Sequence, residues 1–345
     1  MVKLDAGLGT EGEYLKGMDR TARAAEDFGF AGLWTSETKH DAFLPLAIAA
    51  NETHQIELGT SVAIAFSRSP METAHTAWDL QNLSDGRFVL GLGTQVKAHI
   101  TRRFSMPWEK PAARLREYIL AVREIWDSFQ NEGPLQFEGE FYRHTLMTPF
   151  FNPGPIERPE IPIYIAGVNT RLARLAGEIC DGFHVHPFHS PEYVRRTVIP
   201  AITAGAEGVG RDPDQVTLAT SAFVITGENR EETKERRESV RAQISFYAST
   251  PTYRTVLEAH GWEEVGEKLG TMVREKKWRE MPALVTNEML AAFAIEAAPD
   301  ELGTALKDRY DGLIDRVALY LPFVSGERHS FWRTVVESVR VSGRT

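Results

Sequence analysis

Short runs of apolar, β-branched and aromatic residues alternate along the chain with longer stretches in which apolar positions recur every three or four residues. That alternation is the mark of βα units and a parallel sheet rather than of a sandwich. Eight runs are predicted as strands: residues 2–8, 30–36, 56–63, 88–93, 161–166, 182–186, 216–225 and 316–322. Phe88-Val89-Leu90-Gly91-Leu92 and Ile161-Pro162-Ile163-Tyr164-Ile165 carry almost no polar alternation, as strands buried on both faces do. Between the runs, residues 14–28 place Leu15, Met18, Ala22, Ala25 and Phe28 on one helical face and stop at Gly29, where a left-handed cap is favoured. Ser69-Pro70 predicts an N-cap followed by the first helical residue. Residues 112–129 and 191–205 behave likewise, and residues 229–241, crowded with Glu, Lys and Arg, read as a solvated helix face.

Eight strands alternating with helices predict an α/β fold, a (β/α)8 TIM barrel, with a doubly wound open sheet as the competing architecture. The whole chain, 1–345, reads as one domain. Two strand-to-strand intervals, 94–160 and 226–315, exceed the roughly 15 residues that structureless loops reach, so insertions are expected after strands 4 and 7. The first contains a predicted hairpin around Gly139, within 135–142. The second is expected to hold two or three helices, among them 263–277 and 289–297.

Composition narrows the function. The 345 residues carry 39 Lys+Arg against 48 Asp+Glu, a net charge of -9, which argues against nucleic acid as a partner. The longest apolar stretch, residues 43–50, falls far below the roughly 18 residues of a membrane-spanning helix. Cys180 is the single cysteine, which excludes an intrachain disulfide or a Cys-based zinc site and fits a reducing, cytoplasmic setting. The first residues lack the apolar core of a signal peptide. None of this excludes a local basic pocket for a small anion.

In a barrel, chemistry sits at the C-terminal ends of the strands, so residues just past each apolar run are the candidates. After strand 2, His40 near Glu37 could serve as general acid or base. After strand 3 come Ser61, Val62 and the Phe66-Ser67-Arg68 loop, and after strand 4 Thr94, Gln95, Lys97, His99, Arg102 and Arg103. Gly167-Val168-Asn169-Thr170-Arg171 follows strand 5 and opens a helix, whose free N–H groups suit a phosphate; an ordinary turn capped by Asn169 or Thr170 accounts for it equally well. His184 and His186 point to the same side of strand 6. Without an acidic residue at metal-like spacing, a substrate contact or polar core packing is expected there, and no metal. Gly91-Leu92-Gly93-Thr94 lacks the third glycine of a dinucleotide fingerprint, and no Gly-x-Ser-x-Gly elbow occurs.

Gly32-Leu33-Trp34-Thr35-Ser36-Glu37, Ile56-Glu57-Leu58-Gly59-Thr60-Ser61-Val62 and Ser84-Asp85-Gly86-Arg87-Phe88-Val89-Leu90-Gly91-Leu92-Gly93, in that order and spacing, resemble the bacterial luciferase-like superfamily of flavin and deazaflavin barrels. Arg114-Leu115-Arg116-Glu117-Tyr118, Phe137-Glu138-Gly139-Glu140-Phe141-Tyr142 and Ala176-Gly177-Glu178-Ile179-Cys180-Asp181-Gly182-Phe183 extend the likeness over most of the chain. Phe104-Ser105-Met106-Pro107-Trp108 and the run from His144 to Phe151 are similar to the branch that uses coenzyme F420. The resemblance implies an oxidoreductase moving a hydride between the deazaflavin and a small organic substrate. An FMN-dependent monooxygenase using O2 and a noncatalytic flavin-binding protein are the alternatives. It further implies a non-prolyl cis peptide at Ser61-Val62 behind the ring, cofactor phosphate near Gly167 to Thr170, contacts to an acidic tail from Lys97, Arg102 and Arg103, and a homodimer. Many relatives carry a proton-transferring histidine where this chain has Thr38, which leaves Glu37 as the better-supported site residue.

Overall fold

The computed structural model describes residues 2–8 and 15–342. Eight strands form its core: β1 (Lys3–Gly7), β2 (Gly32–Thr35), β3 (Glu57–Thr60), β4 (Phe88–Gly93), β5 (Ile163–Gly167), β6 (Gly182–Val185), β7 (Thr217–Ile225) and β8 (Arg316–Leu319). Each pairs in parallel with its neighbour, and β8 returns to β1, with Leu4 opposite Val317. That closure decides between the two predicted architectures, because an open sheet would leave two edges unpaired. All eight predicted strands are present; 88–93 is unchanged, the fifth starts later and ends one residue further on, and the rest are trimmed where the hydrogen-bonded ladder ends.

The helices pack outside the ring: α1 (Met18–Phe28), α2 (Leu44–Glu52), α3 (Pro70–Leu83), α4 (Pro111–Asn131), α5 (Thr170–Ile179), α6 (Ile199–Glu207), α7 (Leu302–Tyr310) and α8 (His329–Ser342). Their ends follow the predicted chemistry. Gly29 takes φ 85° after α1 and donates its N–H to Ala25, while the Ser69 side chain accepts the Glu72 N–H to start α3. Tyr14, the expected first residue of α1, lies outside the described residues; the helix begins at Met18, and Leu15, in the preceding turn, is exposed.

The insertion after β4 carries a short helix (Lys97–Arg102), all of α4 and the expected hairpin, in which Phe137 pairs with His144 and Glu138 with Arg143. The insertion after β7 holds helices Arg230–Ala248, Arg254–Glu258, Glu263–Arg274 and Asn287–Phe293. The helix expected over 289–297 stops early. Residues Ala294–Glu296 instead form a strand parallel to the end of β7, Phe223 opposite Ala294, because the protruding half of a nine-residue β7 offers an open edge. No helix among the described residues is long and apolar enough to cross a membrane.

Candidate active site

Inward positions of the barrel are large near the bottom and small near the top, and that gradient makes the cavity. At the floor, Arg316 donates from Nε and Nη2 to Asp5, each at 2.9 Å, and from Nη1 to Glu57. Burial opposes the Arg316 charge, but the attraction of Asp5 and Glu57 outweighs it and raises the guanidinium above its usual range. The guanidinium lies 5.2 Å from the Trp34 ring centre; Trp34 stacks on Tyr164 at 5.9 Å and meets the His184 ring edge-on at 5.1 Å. Above this layer Gly7, Gly93, Ala166, Ser221 and Ala318 line the wall, leaving a cavity of about 1960 Å³ that opens at the C-terminal ends of the strands.

Three features converge on it. The Ser61–Val62 peptide just past β3 is cis, and both residues line the cavity. A Cβ on Gly93 would sit 2.6 Å from Val62 Cγ2, so β4 must carry glycine where it passes this turn. Gly167, Val168 and Asn169, leading into α5, form a second part of the wall, with Arg171 beside them. Asn169 Oδ1 accepts the Leu172 N–H at 3.1 Å and so caps the helix. On the β6 to β8 side, His186, Tyr247, Tyr253 and Tyr320 complete the mouth. The Tyr247 and Tyr320 hydroxyls are 3.0 Å apart, and His186 Nε2 lies 3.1 Å from the Tyr253 hydroxyl.

Comparison with known proteins places this geometry. The sequence profile of the luciferase-like monooxygenase family matches residues 1–316. The chain belongs to the luciferase-like monooxygenase family. This luciferase-like chain is 44% identical over 296 residues to an uncharacterized protein of Mycobacterium tuberculosis, covering 86% of this chain and 87% of that protein. It is 29% identical over 289 residues to the 5,10-methylenetetrahydromethanopterin reductase of Archaeoglobus fulgidus, with coverage of 81% and 82%. Among solved structures, the coenzyme F420 dependent tetrahydromethanopterin reductase of Methanopyrus kandleri superposes with a TM-score of 0.78 over 99% of both chains at 22% identity, a likeness of fold.

Within this luciferase-like barrel the expected residues divide. Ser61, Val62, Thr94, Gln95, Gly167, Val168, Asn169, His184 and His186 line one cavity, as does Lys97. Glu37, His40 and Thr170 are not among its lining residues. Glu37 is turned away by its partners: Oε2 accepts the Ile64 N–H at 2.7 Å and Arg68 Nη1 at 2.6 Å, beneath the turn after β3. His40 is exposed on the loop beyond Thr38, and Thr170, the first residue of α5, faces solvent. Arg102 and Arg103 also lie outside the lining; Arg103 Nη2 donates to the Thr38 carbonyl at 2.6 Å. The helix expected over 229–241 does present a solvated face, and its other side brings Glu232 and Arg236 to the cavity where Arg230–Ala248 passes over the mouth.

Tyr247, Tyr253 and Tyr320 are site residues that the strand-end rule leaves largely unfound. Tyr320 directly follows β8 and could have been found by it; the other two sit in the β7 insertion, which carries no motif. His184 and His186 are both pushed down to about 3, by burial first, with Arg316 adding to the effect at His184 and His189 at His186. Both are neutral imidazoles at pH 7. Among the described residues no three His, Cys, Asp or Glu side chains gather as a metal site requires.

Proposed function

We propose that the enzyme is an F420-dependent oxidoreductase that moves a hydride between the deazaflavin and a small organic substrate. The observation that carries this reading is that one continuous cavity of about 1960 Å³ joins the cis Ser61–Val62 turn to the start of α5. Ligand pockets commonly span about 300–1,000 Å³, so there is room for a cofactor and a second molecule together. The residues fit a flat heteroaromatic ring with a phosphate-bearing tail. Glycine and alanine hollow the wall. Ser61, Val62, Gly93, Thr94 and Gln95 would hold the ring; Gly167, Val168 and Asn169, at a helix N-terminus with Arg171 nearby, would hold the phosphate. When bound, the deazaflavin supplies the hydride chemistry; the protein orients it, shields it and handles protons. The family membership and the named activity of the methylenetetrahydromethanopterin reductases support the same reading.

Fluorescence titration of the purified chain with F420 and, separately, with FMN tests it. Saturable quenching of F420 with little FMN response is the expected result. Tight FMN binding without an F420 response would shift the assignment to a flavin monooxygenase, and silence toward both would remove the oxidoreductase reading.

A further inference from the structure

The acid–base group for a hydride transfer has to be in the cavity, and Glu37 and His40 do not line it. A different pair does. His186, one residue beyond β6, has its tautomer set by the backbone: Nδ1 accepts the Phe188 N–H at 3.1 Å, so the neutral ring carries its proton on Nε2. That Nε2–H donates to the Tyr253 hydroxyl oxygen, 3.1 Å away. Among the described residues Tyr253 Oη hydrogen-bonds His186 alone, so its own proton is left to point elsewhere, and Tyr253 lines the cavity. The geometry is held on three sides. Tyr253 ends the turn Pro251–Tyr253, its ring lies 4.5 Å from the His186 ring, and Tyr247 closes edge-on against His186 at 4.8 Å.

Topology places this pair usefully. β3 and β7 stand four positions apart on an eight-strand ring, and the Ser61–Val62 turn after β3 and Tyr253 in the β7 insertion line the same cavity. A ring held by Ser61 and Val62, and a substrate beside it, would share this cavity with Tyr253.

We propose that Tyr253 is the catalytic proton donor to the substrate, with His186 as its positioning residue, and that the substrate is a carbonyl or imine compound. The proposal rests on the hydride-transfer reading above. With reduced deazaflavin bound, a hydride would leave a C–H bond of the ring, oxidising it, and form a new C–H bond at the substrate carbon of C=O or C=N. The π pair moves to the oxygen or nitrogen, which takes the proton from Tyr253 Oη as that O–H bond breaks. The phenolate left behind keeps its hydrogen bond from His186 Nε2–H until water at the open mouth reprotonates it. Burial, with Tyr320 adding, raises the Tyr253 hydroxyl to about 12. It therefore holds its proton at pH 7, yet is acidic enough to give it to an alkoxide or amide anion.

The test uses the full chain, as wild type, Tyr253→Phe and His186→Gln, with thermal melts confirming that each variant is folded. One arm needs no cofactor: 15N-histidine NMR, with a panel of aldehydes, ketones and cyclic imines added one at a time. At least one compound should shift the His186 Nε2–H resonance in wild type and fail to do so in Tyr253→Phe; a panel that moves neither, or both equally, would overturn the proposal. The second arm follows oxidation of reduced F420 by the same compounds. Tyr253→Phe should lower kcat about 100-fold, typical of losing a general acid, and remove the solvent deuterium isotope effect while F420 affinity stays within about threefold. His186→Gln, which keeps a donor near the Nε2 position, should fall between the two. A Tyr253→Phe enzyme with wild-type kcat and isotope effect would overturn the assignment. Failure of the wild type to bind F420 would count against the cofactor alone, because the NMR arm still decides on Tyr253.

Discussion

In Glu37 one carboxylate oxygen accepts both the Ile64 N–H and the Arg68 guanidinium, so the side chain braces the turn that follows β3. Arg68 is also held by Asp41 at 2.6 Å, and both ends of the Glu37 pair are largely buried. Replacing Glu37 with Gln keeps an acceptor but leaves Arg68 with a weaker partner. Urea unfolding should therefore show a loss of about 1–3 kcal/mol, with F420 binding changed less than stability. An unchanged unfolding midpoint with a large loss of turnover would return Glu37 to the chemistry. The sequence shows an acidic residue at this strand end but not its partner, because Arg68 lies 31 residues away and only the fold brings them together. Tyr253 is the converse. Nothing local marks it, and its significance comes from the hydrogen bond with His186, 67 residues distant.

At the scale of elements, the helices around the barrel were legible from periodicity and caps because both are local. What periodicity does not carry is how close two helices come. α5 and α6 approach so nearly that a Cβ on Gly205 would sit 2.1 Å from the Arg174 carbonyl oxygen, and one on Gly177 would sit 2.0 Å from that of Ile202. Backbone cannot yield as a flexible side chain can. Gly205→Ala should cost about 1–3 kcal/mol by denaturant titration, although alanine is the better helix former. A neutral or stabilising result would mean that the two helices can slide apart without penalty. The insertion after β7 makes the same point. Ala294–Glu296 became a strand because an edge of β7 was free, while its sequence continues the apolar pattern of the preceding helix.

For the whole molecule, the buried histidines set a pH dependence. Burial, with Arg316 adding for His184, His189 for His186 and Arg309 for His189, pushes these rings down to about 3, about 3 and about 4. In an unfolded chain they titrate near 6.5. As pH falls through about 6.5, the unfolded chain gains protons that the folded one refuses, so stability is full above that value and declines toward pH 4. Most carboxylates are still ionised at pH 5.5, which leaves histidine as the main titrating group. Between pH 7.5 and 5.5 the urea midpoint should drop by an amount equivalent to roughly 3–4 kcal/mol. A midpoint constant over that range would show that His184, His186 and His189 protonate freely in the fold. The net charge of -9 does not describe the cavity, which Lys97, Arg171, Arg236 and Arg328 also line. By itself, the sequence determined the eight strands, their order around a (β/α)8 barrel, the two insertions and the turns that line the site, since each depends on neighbours within a few residues. The tertiary structure decided that the ring closes, that Glu37 braces rather than faces the cavity, and that His186 meets Tyr253. Those depend on pairings across tens to hundreds of residues, which no local pattern encodes.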